Sequence, residues 1–271
     1  MNKVVVHIPH CSTHIPEKYK ELFTVDEEKI NKELLLITDS YTDELFEHEN
    51  SIVFPVSRLV CDVERFRNES DEEMTAKGMW VCYEKTSDGK PLKICSDEHK
   101  KEILTRYYDV HHKKLTEAIE LALEEHGECI IVDAHSFSST PLPHEPSQET
   151  PRPDFCIGTD DFHTPYQLLE FCKDFFEAKG YSVGINQPFS GTVVPMDYYG
   201  KNKQVQSVMI EINRSLYMNE QTGERNEKFE DIKQLISTFL TDISNYENIK
   251  SISADMFIMA EEPAEGVTPE M

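Results

Sequence analysis

Short β-branched runs alternate with longer segments of helical spacing along this chain, and that alternation limits the fold more than any other feature. The runs are Val4 to Ile8, Ile52 to Val56, Cys129 to Val132, Phe155 to Ile157, Val183 to Ile185 and Val205 to Ile212. Branched side chains pack well on a pleated surface, so these read as strands. Helical spacing covers Glu27 to His48, Asp97 to His126, Tyr166 to Lys179 and Asn226 to Tyr246. Strand and helix in turn predict an α/β fold: a single three-layer domain whose central mixed, mostly parallel sheet is flanked by helices. That domain is expected to span residues 1–250, and the polar, acidic stretch 251–271 to be a disordered tail.

A chain of 271 residues with 38% hydrophobic content can bury a substantial core. Its net charge of -24 would repel a phosphate backbone, and no Lys/Arg stripe offsets it, so nucleic acid is not an expected partner. Seven cysteines, an odd number without a CxxC pair, suggest reduced thiols and a cytoplasmic protein. No signal-peptide pattern and no bilayer-length apolar run is present, so no membrane association is expected. None of the cysteines has structural-zinc spacing, so a metal would be held by His and carboxylate.

Smaller signals mark the segment ends. Thr24 with Glu27 resembles a capping box for the first helix, and Gly127 closes the helix carrying Leu115, Ile119 and Leu123. Phe66 to Lys93 is polar and acidic and reads as a surface excursion or a lid. Ser138 to Arg152 holds four prolines and a His144 expected to face solvent.

Chemistry-bearing residues cluster at strand ends. Val132-Asp133-Ala134-His135-Ser136 places His135 after one apolar strand, and Pro9-His10-Cys11-Ser12 places His10 after another. A strand end fixes the backbone while the next loop stays open to substrate. Two imidazoles and a carboxylate converging there would suit one divalent metal, zinc by preference, with a position open for water. His7, inside its strand, is expected to face elsewhere, and His14 in His-Ile-Pro-Glu is a weak pattern because Pro16 blocks a regular helix. Glu211 sits in an otherwise apolar strand, where a carboxylate needs a partner or a task. It reads either as a salt bridge to Arg214 or as a general base. Arg58, Arg65 and Arg67 follow a strand and suit a substrate carboxylate or an oxyanion.

Taken in order, these residues resemble the N-formylglutamate amidohydrolase family. The matching pieces are Pro9-His10-Cys11-Ser12 with Ile15-Pro16, an early helical Asp39, Ser57-Arg58 with Asp62 and Arg65, Asp133-Ala134-His135-Ser136, Asn186 with Pro188-Phe189-Ser190-Gly191, and Glu211 with Tyr217-Met218. The family is distantly similar to zinc carboxypeptidases and aspartoacylase. By that resemblance the fold is zinc-carboxypeptidase-like, His10 and His135 are metal ligands, and Glu211 is the general base. The carboxypeptidase pattern takes a third ligand from a Glu three residues after the first His. Thr13 stands there, so Asp39 is the substitute and Glu17 the reserve. Cys11-Ser12 replaces the family's Ser-Gly, and Asp62-Val63-Glu64-Arg65 departs from an Asp-x-Asn-Arg pattern, exchanging an amide for a carboxylate.

The resemblance implies metal-dependent hydrolysis of a small carboxylate-bearing N-acyl amino acid, N-formyl-L-glutamate first, to formate and glutamate. Arg58 would stabilise the oxyanion and Arg65 pair with the substrate carboxylate. Arg67 and Asn186 would line the same pocket, and Tyr199 would close over it. The family name suggests a place in amino-acid degradation. A deacylase or peptidase with another substrate, or a non-catalytic ligand-binding member, are the alternatives.

Overall fold

Strand formation follows the β-branched runs. The computed structural model describes residues 2–246, and the expected tail lies outside the described residues. Six strands, β1 (Val4–Ile8), β2 (Ser51–Val53), β3 (Cys129–Phe137), β4 (Phe155–Gly158), β5 (Val183–Ile185) and β6 (Val205–Asn213), form one sheet in the order β2-β1-β3-β6-β4-β5. All neighbours pair in parallel except β4 and β6, so the sheet is mixed and mostly parallel as expected.

The helices are α1 (Glu17–Lys20), α2 (Glu27–Ile37), α3 (Thr42–Leu45), α4 (Asp97–Ile103), α5 (Asp109–His126), α6 (Tyr166–Glu177) and α7 (Phe229–Ser244). Residues two apart on a strand share a face, and the two faces bury different helices. Val4, Val6, Ile8, Ile130, Val132, Val208 and Ile210 pack with α6 and with the Ile232, Leu235, Ile236, Phe239 and Ile243 stripe of α7. Val5, Cys129, Ile131 and Val205 pack against Leu115, Ile119 and Ala122 of α5. Both faces are therefore covered, which explains why β3 and β6 are buried along their whole length.

Several boundaries differ from the sequence reading. β3 runs five residues beyond Val132, to Phe137, so His135 lies within the strand rather than after it. The expected helix from Glu27 to His48 stops at Ile37 and resumes briefly as α3, and Asp39 lies in the break rather than in a helix. Its cap is Asp26, whose carboxylate accepts from Lys29 N at 3.0 Å, whereas the Thr24 hydroxyl donates to the Leu92 carbonyl. Asp97 to His126 is helical throughout, but Leu104–Tyr108 widens into a π segment. Gly127 closes α5 with a φ of 73°.

The polar segment after Phe66 is a packed wall rather than a loose excursion. Trp80, Val81 and Cys82 are buried with Val60 and Cys61 in one cluster, and Met79 and Tyr83 with Leu34 and Leu59 in another. Ser87 donates to the buried Glu33 carboxylate from both its backbone N–H and its hydroxyl. Lys93 donates to the Leu59 and Val60 carbonyls.

Candidate active site

Register brings the site together. His7 on β1 is opposite Asp133 on β3, Asp133 is opposite Met209 on β6, and His135 is opposite Glu211. All five share the face covered by α5, whose first turn brings His111 against His7. His10 follows β1 directly, and its carbonyl accepts from Asp39 N at 3.0 Å, which docks the α2–α3 break against it.

His10, Asp39 and His135 offer ligand atoms that lie within 4.8 Å of one another. Asp39 Oδ2 is 3.6 Å from His10 Nδ1 and 3.0 Å from His135 Nδ1. Each imidazole has its other nitrogen on a carboxylate: His10 Nε2 donates to Asp62 at 2.9 Å, and His135 Nε2 to Asp133 at 3.2 Å. Such partners orient a ligating imidazole and fix its tautomer. His10 Nδ1 is buried without a hydrogen-bond partner. Two buried imidazoles, one carboxylate and an unspent nitrogen fit a divalent ion of the zinc type.

Asp39 is held from behind. Arg214 Nη2 donates to its Oδ1 at 2.8 Å, while Arg214 also bonds the Leu36 carbonyl at 2.6 Å and Ser136 Oγ at 3.1 Å. Burial alone would raise the Asp39 carboxyl, but the nearby His10 imidazole, the hydrogen bond from His135 and the Arg214 charge outweigh it and hold it well below the usual range. His135 goes the other way. Burial opposes its charge, yet Glu64, Asp133 and Asp39 surround it and raise it well above an ordinary histidine.

Glu211 is buried and has one oxygen, Oε2, without a hydrogen-bond partner. Arg214 takes Asp39 as its partner, so the Glu211–Arg214 salt bridge is not formed. Burial, reinforced by the nearby Asp39 charge and offset in part by His135, pushes Glu211 up to about 8. A carboxyl near neutrality can both take and return a proton.

Asp62 organises the opposite wall. It accepts from His10, from Arg58 Nη2 at 2.8 Å, from the Tyr83 hydroxyl at 2.5 Å and from Glu64 N at 3.0 Å. Arg58 keeps its buried Nε without a partner, and Arg65 donates to the Met79 carbonyl and the Tyr83 hydroxyl, both at 3.2 Å. Both guanidiniums line a cleft of about 1140 Å³ whose wall also includes His10, Asp39, His135 and Glu211.

The other expected residues part company. Arg67 lies on the rim, half exposed and clamped by Asp109 at 2.7 and 3.0 Å. Tyr199 also lines the cleft, half exposed and stacked on His163. Asn186 does not line the cleft: its backbone is left-handed with a φ of 53°, and its amide bonds Thr159 N at 2.9 Å and Thr159 Oγ1 at 2.7 Å. Glu17 is exposed on α1, paired with Lys20 at 2.7 Å, and does not line the cleft. His144 lines the cleft instead of facing solvent, and burial lowers it to about 4.

His7 also departs from expectation. It is fully buried, its Nδ1 donates to Asp133 Oδ1 at 2.8 Å, and its Nε2 is 2.8 Å from His111 Nε2. Glu64 enters the same group, with Oε2 at 3.0 Å from His135 Nε2 and Oε1 at 3.5 Å from His7 Nδ1. The one sequence signal for this was Asp133-x-His135, a spacing that puts both side chains on one strand face. Nothing local announced His7, Glu64 or Arg214 as their neighbours.

Known proteins resemble this chain in sequence and in fold. A family model described as N-formylglutamate amidohydrolase matches residues 2–218. An N-formylglutamate deformylase of Pseudomonas putida is 29% identical over 174 residues, a match spanning 60% of this chain and 62% of that relative's length. The crystal structure of an N-formylglutamate amidohydrolase from Ralstonia eutropha superposes with a TM-score of 0.78 at 23% identity, covering 90% of this chain and 94% of its own. A gene product of Agrobacterium tumefaciens superposes with a TM-score of 0.57 at 18% identity, covering 89% and 92%. These two likenesses establish the shared fold.

Proposed function

The chain belongs to the N-formylglutamate amidohydrolase family, and from that premise we propose that it hydrolyses the amide of a small N-acyl amino acid, N-formyl-L-glutamate first, to formate and glutamate. The observation that carries this reading is the convergence of His10, Asp39 and His135 beside a buried Glu211 with an unpartnered oxygen. A divalent ion held by those three ligands would supply Lewis acidity to the acyl carbonyl. Glu211 takes a proton from the attacking water and returns it to the amine nitrogen as the C–N bond breaks. Arg58, with its Nε uncommitted, donates to the oxygen that gains charge, and Arg65 pairs with the substrate carboxylate. Asp62 and Tyr83 hold both guanidiniums in place before substrate arrives.

A second reading keeps the site and changes the acyl amino acid. It is favoured by the Glu64 carboxylate inside the cleft and by a cleft volume, about 1140 Å³, above the usual range of about 300–1,000 Å³ for small-ligand pockets.

The test is metal content together with formate release from N-formyl-L-glutamate and a panel of other acyl donors. Metal bound by the wild type, reduced in His10→Ala and His135→Ala, with formate released by the wild type, is the expected result. Glu211→Gln should keep the metal and lower kcat by about 10²–10⁴-fold. Metal without formate, but with turnover of another donor, would move the chain to the second reading. A protein that binds no metal would overturn the mechanism.

A further inference from the structure

The far side of the His135 ring carries a second group of donors, of which the site above uses only Asp133, to orient His135. We propose that His7, Glu64 and Asp133 bind a second divalent cation next to the first site. The proposal rests on reading His10, Asp39 and His135 as that first site.

The three side chains offer His7 Nδ1, a Glu64 oxygen and an Asp133 oxygen within 4.8 Å of one another. One imidazole with two carboxylates suits Zn²⁺, Mn²⁺ or Co²⁺. Each donor is already aimed. Val193 N donates to Asp133 Oδ2 at 2.9 Å and leaves Oδ1 turned toward His7. His111 Nε2 sits 2.8 Å from His7 Nε2, so Nδ1 faces the carboxylates. That contact between two imidazoles holds one proton: His111 donates it while His7 Nδ1 is protonated, and once a cation replaces the Nδ1 proton His7 donates it and His111 takes a proton at its Nδ1. Glu64 is placed through its backbone, because its own N–H is bonded to Asp62 and the preceding Val63 carbonyl accepts from His112 Nε2 at 2.8 Å.

The two donor sets meet at His135. Its Nδ1 faces Asp39, and its Nε2 lies 3.0 Å from Glu64 and 3.2 Å from Asp133. Glu64 and Asp133 line the cleft, so a cation can enter from solvent. The site also accounts for a carboxylate in a cleft built for an anionic substrate. Arg58 and Arg65 flank Asp62, at 2.8 and 3.6 Å, so an uncompensated Glu64 charge would oppose a second anion. With a cation bound between Glu64 and Asp133, that charge is neutralised and the same spot can attract a substrate carboxylate.

The experiment is a Co²⁺ titration of the chelator-treated full chain, followed by calorimetry and by visible absorption. Wild type, Glu64→Gln, His7→Asn and His10→Asn are compared, with circular dichroism of each metal-free variant to show that it is folded. Glu64→Gln keeps the shape of a partly exposed side chain, so it remains informative if His7→Asn does not fold. Two equivalents in the wild type, falling to one in Glu64→Gln, with a change in the cobalt spectrum, would support the second site. One equivalent in the wild type, unchanged in Glu64→Gln and lost in His10→Asn, would overturn the second site and leave the first. Two equivalents in both wild type and Glu64→Gln would overturn the assignment to these residues. No bound cobalt would overturn both sites.

Discussion

Arg214 is almost fully buried and spreads its guanidinium over Asp39, the Leu36 carbonyl and Ser136. Removing it leaves Asp39 buried with only His135 to offset its charge and its Oδ1 without a donor. Arg214→Met should therefore destabilise the protein by about 3–5 kcal/mol, read from the urea midpoint. It should also weaken metal binding by about 10–100-fold, because the Asp39 ligand loses its orienting partner. His135 supplies a pH prediction. Its surrounding carboxylates hold it protonated above the ordinary histidine range, so a metal must displace a proton. Metal affinity should rise with pH through neutrality, with proton release seen as a buffer-dependent binding enthalpy. Glu211 gives the opposite sign for stability in the metal-free protein. Its pKa is raised from 4.5 to about 8, so its neutral form stabilises the fold below about pH 4.5, and that contribution is lost as pH rises through 8. Glu211→Gln should match the wild type near pH 4.5 and melt higher at pH 9, by thermal denaturation with chelator present. At this scale Glu211 was legible because a carboxylate in an apolar strand requires an explanation. Its expected partner was not, since Arg214 is taken by a residue 175 positions away.

The end of α2 shows what an element needs beyond its own residues. Nothing between Ile37 and Tyr41 is Gly or Pro, and the spacing continues, so the sequence reads as one helix to His48. The helix ends because its last carbonyls find cations elsewhere: Leu36 accepts from Arg214, and Ile37 from Arg58 at 3.4 Å. The break then carries Asp39 to the site. β3 is longer than its apolar run for a related reason. Asp133, His135 and Ser136 are polar, yet their backbones stay paired with β6 through Phe137↔Asn213. A close approach elsewhere gives a test of the loop that supports Asp133. A Cβ on Gly158 would lie 2.2 Å from the Gly191 carbonyl oxygen, in the loop whose Val193 N–H bonds Asp133. Gly158→Ala should destabilise by about 1–3 kcal/mol in denaturant unfolding. The same change should lower activity, because β4 and this loop must separate.

Over the whole molecule, the charge of -24 opposes compaction as well as nucleic-acid binding. Raising NaCl from about 0.01 M to 0.15 M shortens the screening length from about 30 Å to about 8 Å. The melting temperature should therefore rise over that interval, and a flat or falling curve would show that local ion pairs dominate. No helix of the described residues is long and apolar enough to cross a membrane. By itself the sequence determined the class of fold, most of its elements, and which histidines and acid lie near the C-terminal ends of the central strands. These depend on periodicity and on the cost of burying charge, both of which are local properties. The tertiary structure alone decided how those residues are partnered. It set the β1–β3–β6 register that brings His7, Asp133 and Glu211 to one face, placed Asp39 beside His10 and His135 while leaving Glu17 on an exposed turn, turned Asn186 away and brought Glu64 in. Contacts between residues far apart in the chain arise from packing and register, and a sequence read segment by segment contains neither.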